Sequence, residues 1–413
     1  MGVARGSQFD RHAPDIEVEI RFLAYSFRAK NTEGMAKTSA MPNSINSDRP
    51  DLAPGTGLVL VTGASGHLGA NLVARLLADG EQVRVLLQPD CNNSAVDGLD
   101  VERASGDFRD PQAAGIAVKG CQRVYHCGAM ISTIQGNREH RRELFESNVI
   151  GTRNILEAAQ IHGVTRVVAT GSFSAVGYHL DDPSAPSDES VPFYPFRHAM
   201  PYERTKVLAE LECLRAVARG LDVVVATSCA IFGGNDYLPS RLGQTLCDFA
   251  NGRLRAYVPG GFEFVSARDI VSGHLLAMSR GRAGEKYIFS TRFTTLDEVV
   301  GLFERVTGIP RPGRRVPAAV MGAFAGVASP LLSQFFPNVR QRLTPGAIRL
   351  LQMRRHAKTS KAQVELGYRP TELESAVEEA YAFFHARGAI KNPAARAPMA
   401  DSPNPTLAAS PAG

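Results

Sequence analysis

Tyr202 and Lys206 stand four residues apart in the run Tyr202-Glu203-Arg204-Thr205-Lys206. On a helix this spacing puts the phenol and the ammonium on one face. A phenol titrates near pH 10, too high for efficient proton exchange at neutral pH, and a neighbouring ammonium favours its phenolate form. Lowering that pKa by about three units takes roughly 4 kcal/mol, which one lysine and a cationic ligand ring together could supply. With 10 tyrosines and eight lysines in 413 residues, chance alone gives roughly 0.2 such pairs, so the motif also fits an exposed pair on a surface helix. About 30 residues upstream, the apolar run Arg166–Thr170 leads into Gly171-Ser172-Phe173-Ser174. A hydroxyl at the C-terminal end of a parallel strand faces the crevice where ligands bind. Ser172 is therefore the leading candidate to hold a substrate oxygen near Tyr202, Ser174 is the next, and a turn serine is the plain alternative.

A second constellation lies near the start of the regular pattern. Val61-Thr62-Gly63-Ala64-Ser65-Gly66-His67-Leu68-Gly69 follows the apolar run Leu58–Thr62 and precedes a helix-spaced segment, Gly66–Asp79, with Leu68, Leu72, Val73, Leu76 and Leu77 on one face. Glycines here allow a tight turn, close approach of the backbone to a pyrophosphate, and helix-on-strand packing. The helix N-terminus then offers free N–H groups and a positive dipole end to phosphates. Gly63, Ser65, Gly66, His67, Leu68 and Gly69 are the expected dinucleotide-binding turn. At the end of the next strand, Val83–Leu87, an acid would bind a ribose 2′-hydroxyl and an arginine a 2′-phosphate. The chain has Leu87-Gln88-Pro89-Asp90, so Gln88 is the candidate contact and NAD versus NADP stays open.

These residues need a scaffold, and the rest of the chain reads as one. Further strands are expected at Val101–Ala104, Arg123–His126, Arg166–Thr170 and Asp222–Thr227, with a long helix over about Glu139–His162 and another after Tyr202. Apolar strands alternating with helices imply an α/β fold, a Rossmann-type doubly wound parallel sheet. From about Ser228 the pattern turns more helical, as in a smaller substrate lobe. The expected division is a flexible extension over 1–55, a dinucleotide-binding domain with the catalytic residues over 56–228, a substrate lobe over 229–390 with crossover segments, and a disordered tail rich in Pro, Ala and Ser over 391–413.

Composition narrows the function classes. Net charge is +5, with 44% hydrophobic and 21% charged residues, and no basic stripe interleaved with aromatics marks a nucleic-acid groove. The six cysteines form no CxxC pair, which predicts no structural metal and a reducing, cytoplasmic setting. Residues 316–336 carry no charge, but Pro317, Pro330 and several small polar residues interrupt them. A buried or pocket-lining helix pair is expected there, with interfacial membrane contact as the rival reading. A Ser-His-Asp hydrolase is disfavoured because no G-x-S-x-G elbow is present, and His126 and His274 read as structural.

Taken together the motifs resemble the extended short-chain dehydrogenase/reductase superfamily, the NAD-dependent epimerase/dehydratase family, and within it the dihydroflavonol-reductase-like, 3β-hydroxysteroid-dehydrogenase-like and hopanoid-associated epimerase-like branches. They stand in order: VTGASGHLG at 61–69, GDFRD at 106–110, VYHCGA at 124–129, NVIGTRNILEAA at 148–159, TGSFSAVG at 170–177, YERTK at 202–206 and SARDIVSGHLLA at 266–277. The resemblance implies that Asp107, with Phe108 beside it, binds the adenine base, and that Cys127, Gly128 and Ala129 line the pyrophosphate and ribose. It further implies that Asn148 supports the active-site helix, that Lys206 also holds the nicotinamide ribose, and that Thr227 and Ser228 border the cofactor. Gln88 replaces the arginine of the reductase branch, and Ala226-Thr227 replaces the Asn-Pro of nucleotide-sugar enzymes.

The expected activity is that of an NAD(P)H-dependent carbonyl reductase or secondary-alcohol dehydrogenase on a hydrophobic small molecule, with Tyr202 as acid/base, Ser172 orienting the oxygen and Lys206 tuning the phenol. The apolar loop 177–200, carrying Val191, Phe193, Tyr194 and Phe196, suits such a substrate. The alternatives are a sugar or sugar-nucleotide epimerase/dehydratase using a transient hydride step, and a non-catalytic dinucleotide sensor. A homodimer through the 139–162 helix and the Tyr202 helix is left open.

Overall fold

Val59–Thr62 (β1), Arg123–His126 (β4) and Val223–Ser228 (β6) are buried at every residue. Strands with apolar residues on both faces need helices on both sides of the sheet. Val83–Leu87 (β2), Glu102–Ser105 (β3), Arg166–Ser172 (β5) and Lys286–Phe289 (β9) complete a seven-stranded sheet in the order β3-β2-β1-β4-β5-β6-β9, parallel at every pairing. The computed structural model describes residues 57–398 except 194, 195, 197, 198, 324 and 327–343. The 1–55 extension, Tyr194 and the tail beyond 398 lie outside the described residues.

The first helix, His67–Ala78 (α1), buries Leu68, Leu72, Val73 and Leu76 against the sheet, the face expected from their spacing. Pro111–Val118 (α2) and Pro201–Ala218 (α5) are further covering helices. The expected long helix is present over Arg138–Phe145 (α3) and Gly151–Ile161 (α4), but the five residues between, Glu146–Ile150, form a π-helical turn. One extra residue in that turn rotates Asn148 inward, where it is buried; such turns occur often at functional sites.

Ala230–Phe232 (β7), Gly261–Ser266 (β8) and Arg292–Thr295 (β10) make a second, three-stranded sheet. With Arg241–Ala250 (α6), Leu296–Thr307 (α8) and Leu373–Ala386 (α10) it encloses its own apolar cluster, including Phe249, Phe303, Tyr381 and Phe384. Two stretches of this half return to the main core: Ala267–Arg280 (α7) with β9, and residues 362–368 through Ala362, Leu366 and Tyr368. Pro345–Met353 (α9) lies against β8.

Of the stretch 316–336, where a buried or pocket-lining helix pair is expected, residues 324 and 327–336 lie outside the described residues. Residues 318–323 are helical, yet Val320 is 60% exposed, and Ala325 is the buried residue of the stretch. Among the described residues no helix is long and apolar enough to cross a membrane. The start of the expected disordered tail is instead held on the second lobe: Arg396 N donates to Thr307 O at 2.8 Å and Asn392 Nδ2 to Ala250 O at 3.0 Å.

Candidate active site

At the phosphate end, three glycines meet three different constraints. Gly63 has φ +68°, and a Cβ there would lie 2.7 Å from the backbone of Gly128 on the neighbouring strand's loop. The turn after β1 thus passes directly beside the turn after β4, at the point where the strand order reverses and ligands bind in such sheets. A Cβ on Gly69 would fall 2.1 Å from Gly63 O, so this glycine lets α1 pack on the turn. Gly66 is less confined: a Cβ there would meet one atom, Gly63 O, at 3.3 Å. It is the N-cap of α1, with no side chain capping the free N–H groups and no acid in the first turn. This cradle fits a dinucleotide pyrophosphate.

The flanking side chains are spent on holding the turn. Leu68 is buried in the core and His67 Nε2 donates to Gly234 O at 3.0 Å, so these two residues offer the ligand their backbone. Ser65 Oγ donates to Asn93 Oδ1 at 2.5 Å, and Asn93 Nδ2 to Gln88 O at 2.9 Å. Gln88 Nε2 in turn donates to Asp107 Oδ2 at 2.6 Å. Burial raises the Asp107 pKa, but hydrogen bonds and charge from Arg109, with Gln88, outweigh it and leave the carboxyl below its usual value. Phe108 packs beneath the loop: a Cβ on Gly128 or on Gly151 would strike its ring, at 2.7 and 2.3 Å.

The loop after β4 is fixed by Thr62, whose Oγ1 accepts from Gly128 N at 3.2 Å and pairs with His126 Nδ1 at 2.7 Å. His126 Nε2 meets Thr152 Oγ1 at 3.0 Å. Burial, then the Lys206 charge, pushes the His126 pKa down to about 3. His274 donates from Nδ1 to Ile270 O at 2.8 Å and accepts at Nε2 from Thr170 Oγ1 at 2.9 Å; burial lowers its pKa to about 4. Both imidazoles are neutral structural groups. Burial raises the Cys127 thiol to about 12, so it is a thiol and no nucleophile at neutral pH. Ala129 completes this loop beside Met130, whose N–H and C=O are both bound by Asn148, at 2.7 and 2.9 Å. Asn148 Nδ2 also donates to Thr205 Oγ1 at 3.0 Å. The side chain of Asn148 therefore ties the β4 loop to the Tyr202 helix instead of facing the crevice.

At the catalytic end, Ser172 is the last residue of β5 and pairs in register with Ser228 of β6. Ser172 lies beside Tyr202, and its Oγ accepts from Ser174 N at 3.2 Å. Ser174 thus supports Ser172. One turn on from Tyr202, Lys206 is buried and Nζ donates to Thr170 O at 2.7 Å. The phenol's own surroundings do not lower its pKa: burial raises it, Ser172 opposes this, and Glu203 adds to the rise. Lys206 is not among the protein groups that move the phenol, and burial lowers the lysine's own pKa. Thr227 Oγ1 is fully buried, has no partner among the described residues, and lies where a Cβ on Gly171 would come within 2.7 Å of it. Ser228 Oγ donates to Cys229 O at 2.9 Å, so that side chain is turned inward.

Sequence reasoning missed several supports: Thr62, Asn93, Thr152, Glu203, Thr205 and Arg355. The capping carboxylate of Glu203, which accepts from Met200 N at 2.7 Å, had a readable signal in its position two residues inside a Pro-initiated helix.

Comparisons with known proteins agree with this fold. The profile of the NAD dependent epimerase/dehydratase family matches residues 59–289. Sterol demethylase protein B of Methylococcus capsulatus is 43% identical over 331 residues, covering 80% of this chain and 99% of that protein. A putative dihydroflavonol 4-reductase of Synechocystis is 32% identical, covering 80% and 95%. Among solved structures, gox2253 superposes with a TM-score of 0.68 at 30% identity, covering 81% of this chain and all of the other.

Proposed function

The chain belongs to the NAD dependent epimerase/dehydratase family, within the extended short-chain dehydrogenase/reductase superfamily, and on that basis we propose that it interconverts a secondary alcohol and a ketone on a hydrophobic, polycyclic molecule of sterol type. It is an NAD(P)-dependent oxidoreductase. The observation that carries the finer reading is the placing of Ser172, at the end of β5, beside Tyr202, with Lys206 one helical turn behind and fixed by Thr170 O.

When bound, the nicotinamide accepts or donates the hydride, and its oxidised ring adds the positive charge that favours a phenolate. Gly63, Gly66 and Gly69 hold the pyrophosphate against the α1 N-terminus. Ser172 donates to the substrate oxygen and orients it towards Tyr202. In oxidation Tyr202 takes the hydroxyl proton as hydride leaves the carbinol carbon; in reduction it returns that proton to the forming alkoxide. Lys206, fixed by Thr170 O, keeps an ammonium beside the ribose and the phenolate.

The substrate class rests on two supports. The 43% identical relative is named for sterol demethylation, and the loop between serine and tyrosine carries apolar residues in its later part, Val191, Phe193 and Phe196. In that loop Phe193 and Phe196 meet edge to face at 6.0 Å, and Met200 is buried. Part of this apolar surface packs on itself, so the substrate wall is smaller than the loop's composition suggests.

Fluorescence titration with NADH and NADPH identifies the preferred cofactor, and a panel of polycyclic ketones and alcohols then follows. Stoichiometric consumption of reduced cofactor with a sterol-type ketone is expected. Isomerisation of a sugar nucleotide without net cofactor turnover would replace the proposal with the epimerase reading.

A further inference from the structure

Arg355 brings the second half of the chain to the turn that follows Ser172. Arg354 ends α9 in a left-handed conformation, φ +47°. This conformation, uncommon for a non-glycine residue, turns the chain off the helix axis and sends the next side chain towards β5. Arg355 is 7% exposed. Its guanidinium donates from one terminal nitrogen to Phe173 O at 3.3 Å, and from the other to Val176 O and Gly177 O, both at 2.8 Å. It also lies over the Phe173 ring at 4.5 Å and the Tyr178 ring at 5.1 Å. These partners flank the turn that begins at Ser172, whose Oγ accepts from Ser174 N. Every acceptor is a neutral carbonyl, so the contact fixes a backbone shape more than it pairs a charge.

The geometry points to Arg355 as a positioning residue that holds the turn after β5 so that Ser172 meets Tyr202. This inference rests on the hydride-transfer reading of that corner. A planar fork with several donors spans the three carbonyls while stacking between two rings; a lysine, a point charge on a flexible stem, cannot do both. Other titratable groups lie nearby: Glu203, Arg204 and Lys206 on α5, the uncharged His126 and Cys127 at the end of β4, and Arg349 on α9, whose terminal nitrogen donates to the Tyr178 hydroxyl at 3.2 Å. The Arg355 charge acts on buried Glu203, which raises the Tyr202 pKa. Loss of the grip and loss of the charge therefore move the phenol the same way, upward, and only a variant that keeps the charge separates them.

The test is tyrosinate absorbance against pH with saturating NAD+, taking each protein minus its Tyr202→Phe counterpart so that one phenol is read without a substrate. Arg355→Met and Arg355→Lys should both raise the Tyr202 midpoint by about one unit, the equivalent of a tenfold change in the ionisation constant, with NADH affinity within about twofold of the parent. With a turnover substrate, kcat should fall more than KM rises. A midpoint unchanged in Arg355→Met, or restored by Arg355→Lys, overturns the inference. Should either variant fail to fold, Tyr178→Leu thins the stack over Arg355 from the surface; a smaller upward shift is expected, and no shift contradicts the positioning role. If Tyr202→Phe itself leaves turnover intact, the hydride-transfer reading fails, while the midpoint shift still reports on the turn.

Discussion

At the glycine turn the backbone does the positioning: three glycines within seven residues fit the β1 loop against Gly128 and leave the α1 N-terminus free. At the catalytic end the positioning is done by side chains from distant segments. Thr170 receives Lys206, Asn148 joins the β4 loop to Thr205, and Arg355 grips the turn after Ser172. A ligand phosphate needs N–H groups in a fixed concavity, which a short stretch of chain can make. A proton transfer needs an oxygen, a phenol and an ammonium at set distances, and these sit on different elements whose rotamers must be locked by their neighbours. The first end should therefore fail through steric intrusion, and the second through loss of individual hydrogen bonds.

The largest effect is expected at the catalytic end. Lys206→Met should lower kcat roughly 10²–10⁴-fold, the range for a group in acid–base catalysis. It should also lower stability by about 1–3 kcal/mol, because the Thr170 carbonyl loses its buried donor. A variant with a lower Tm and unchanged kcat would reduce Lys206 to a structural strut.

At the phosphate end the sharpest contrast is between two glycines. Gly69→Ala sets a methyl 2.1 Å from Gly63 O and should destabilise the fold by about 1–3 kcal/mol as α1 is pushed off the turn. Gly66→Ala meets only Gly63 O at 3.3 Å, so its loss of stability should be much smaller than that of Gly69→Ala while NADH affinity falls severalfold. Equal stability losses in the two variants would show that ligand approach is not what Gly66 serves.

The neutral histidines that brace the two ends give a pH signature. Their folded pKa values, about 3 for His126 and about 4 for His274, lie below the usual 6.5. The unfolded chain then binds the extra protons first, so this stability is complete above pH 6.5 and declines as pH falls towards the folded values. At pH 5 the cost is about 2 kcal/mol for each. Urea unfolding at pH 7 and pH 5 should show that loss, and His126→Asn should remove about half of it.

How much of this was legible follows from the same contrast. The parallel sheet, the glycine turn and the Tyr202–Lys206 pair depend on spacings within one element or one turn, where periodicity reports burial directly. The Asn148–Thr205 contact spans 57 residues and the Arg355–Phe173 contact 182, and no local pattern encodes either. The π-helical turn at Glu146–Ile150 was invisible for a related reason: one added residue changes the facing of Asn148 without breaking helical periodicity. Gln88 was legible as a residue at the end of β2 but not as a partner of Asp107, because that pairing depends on how β2 and β3 end side by side.

In the proposed reaction Tyr202 carries the proton while hydride moves. This role is tested most directly by measuring NADH affinity and ketone turnover in Tyr202→Phe. We predict affinity within about twofold of the parent and turnover lower by roughly 10²–10⁴-fold; turnover equal to the parent's would contradict the claim.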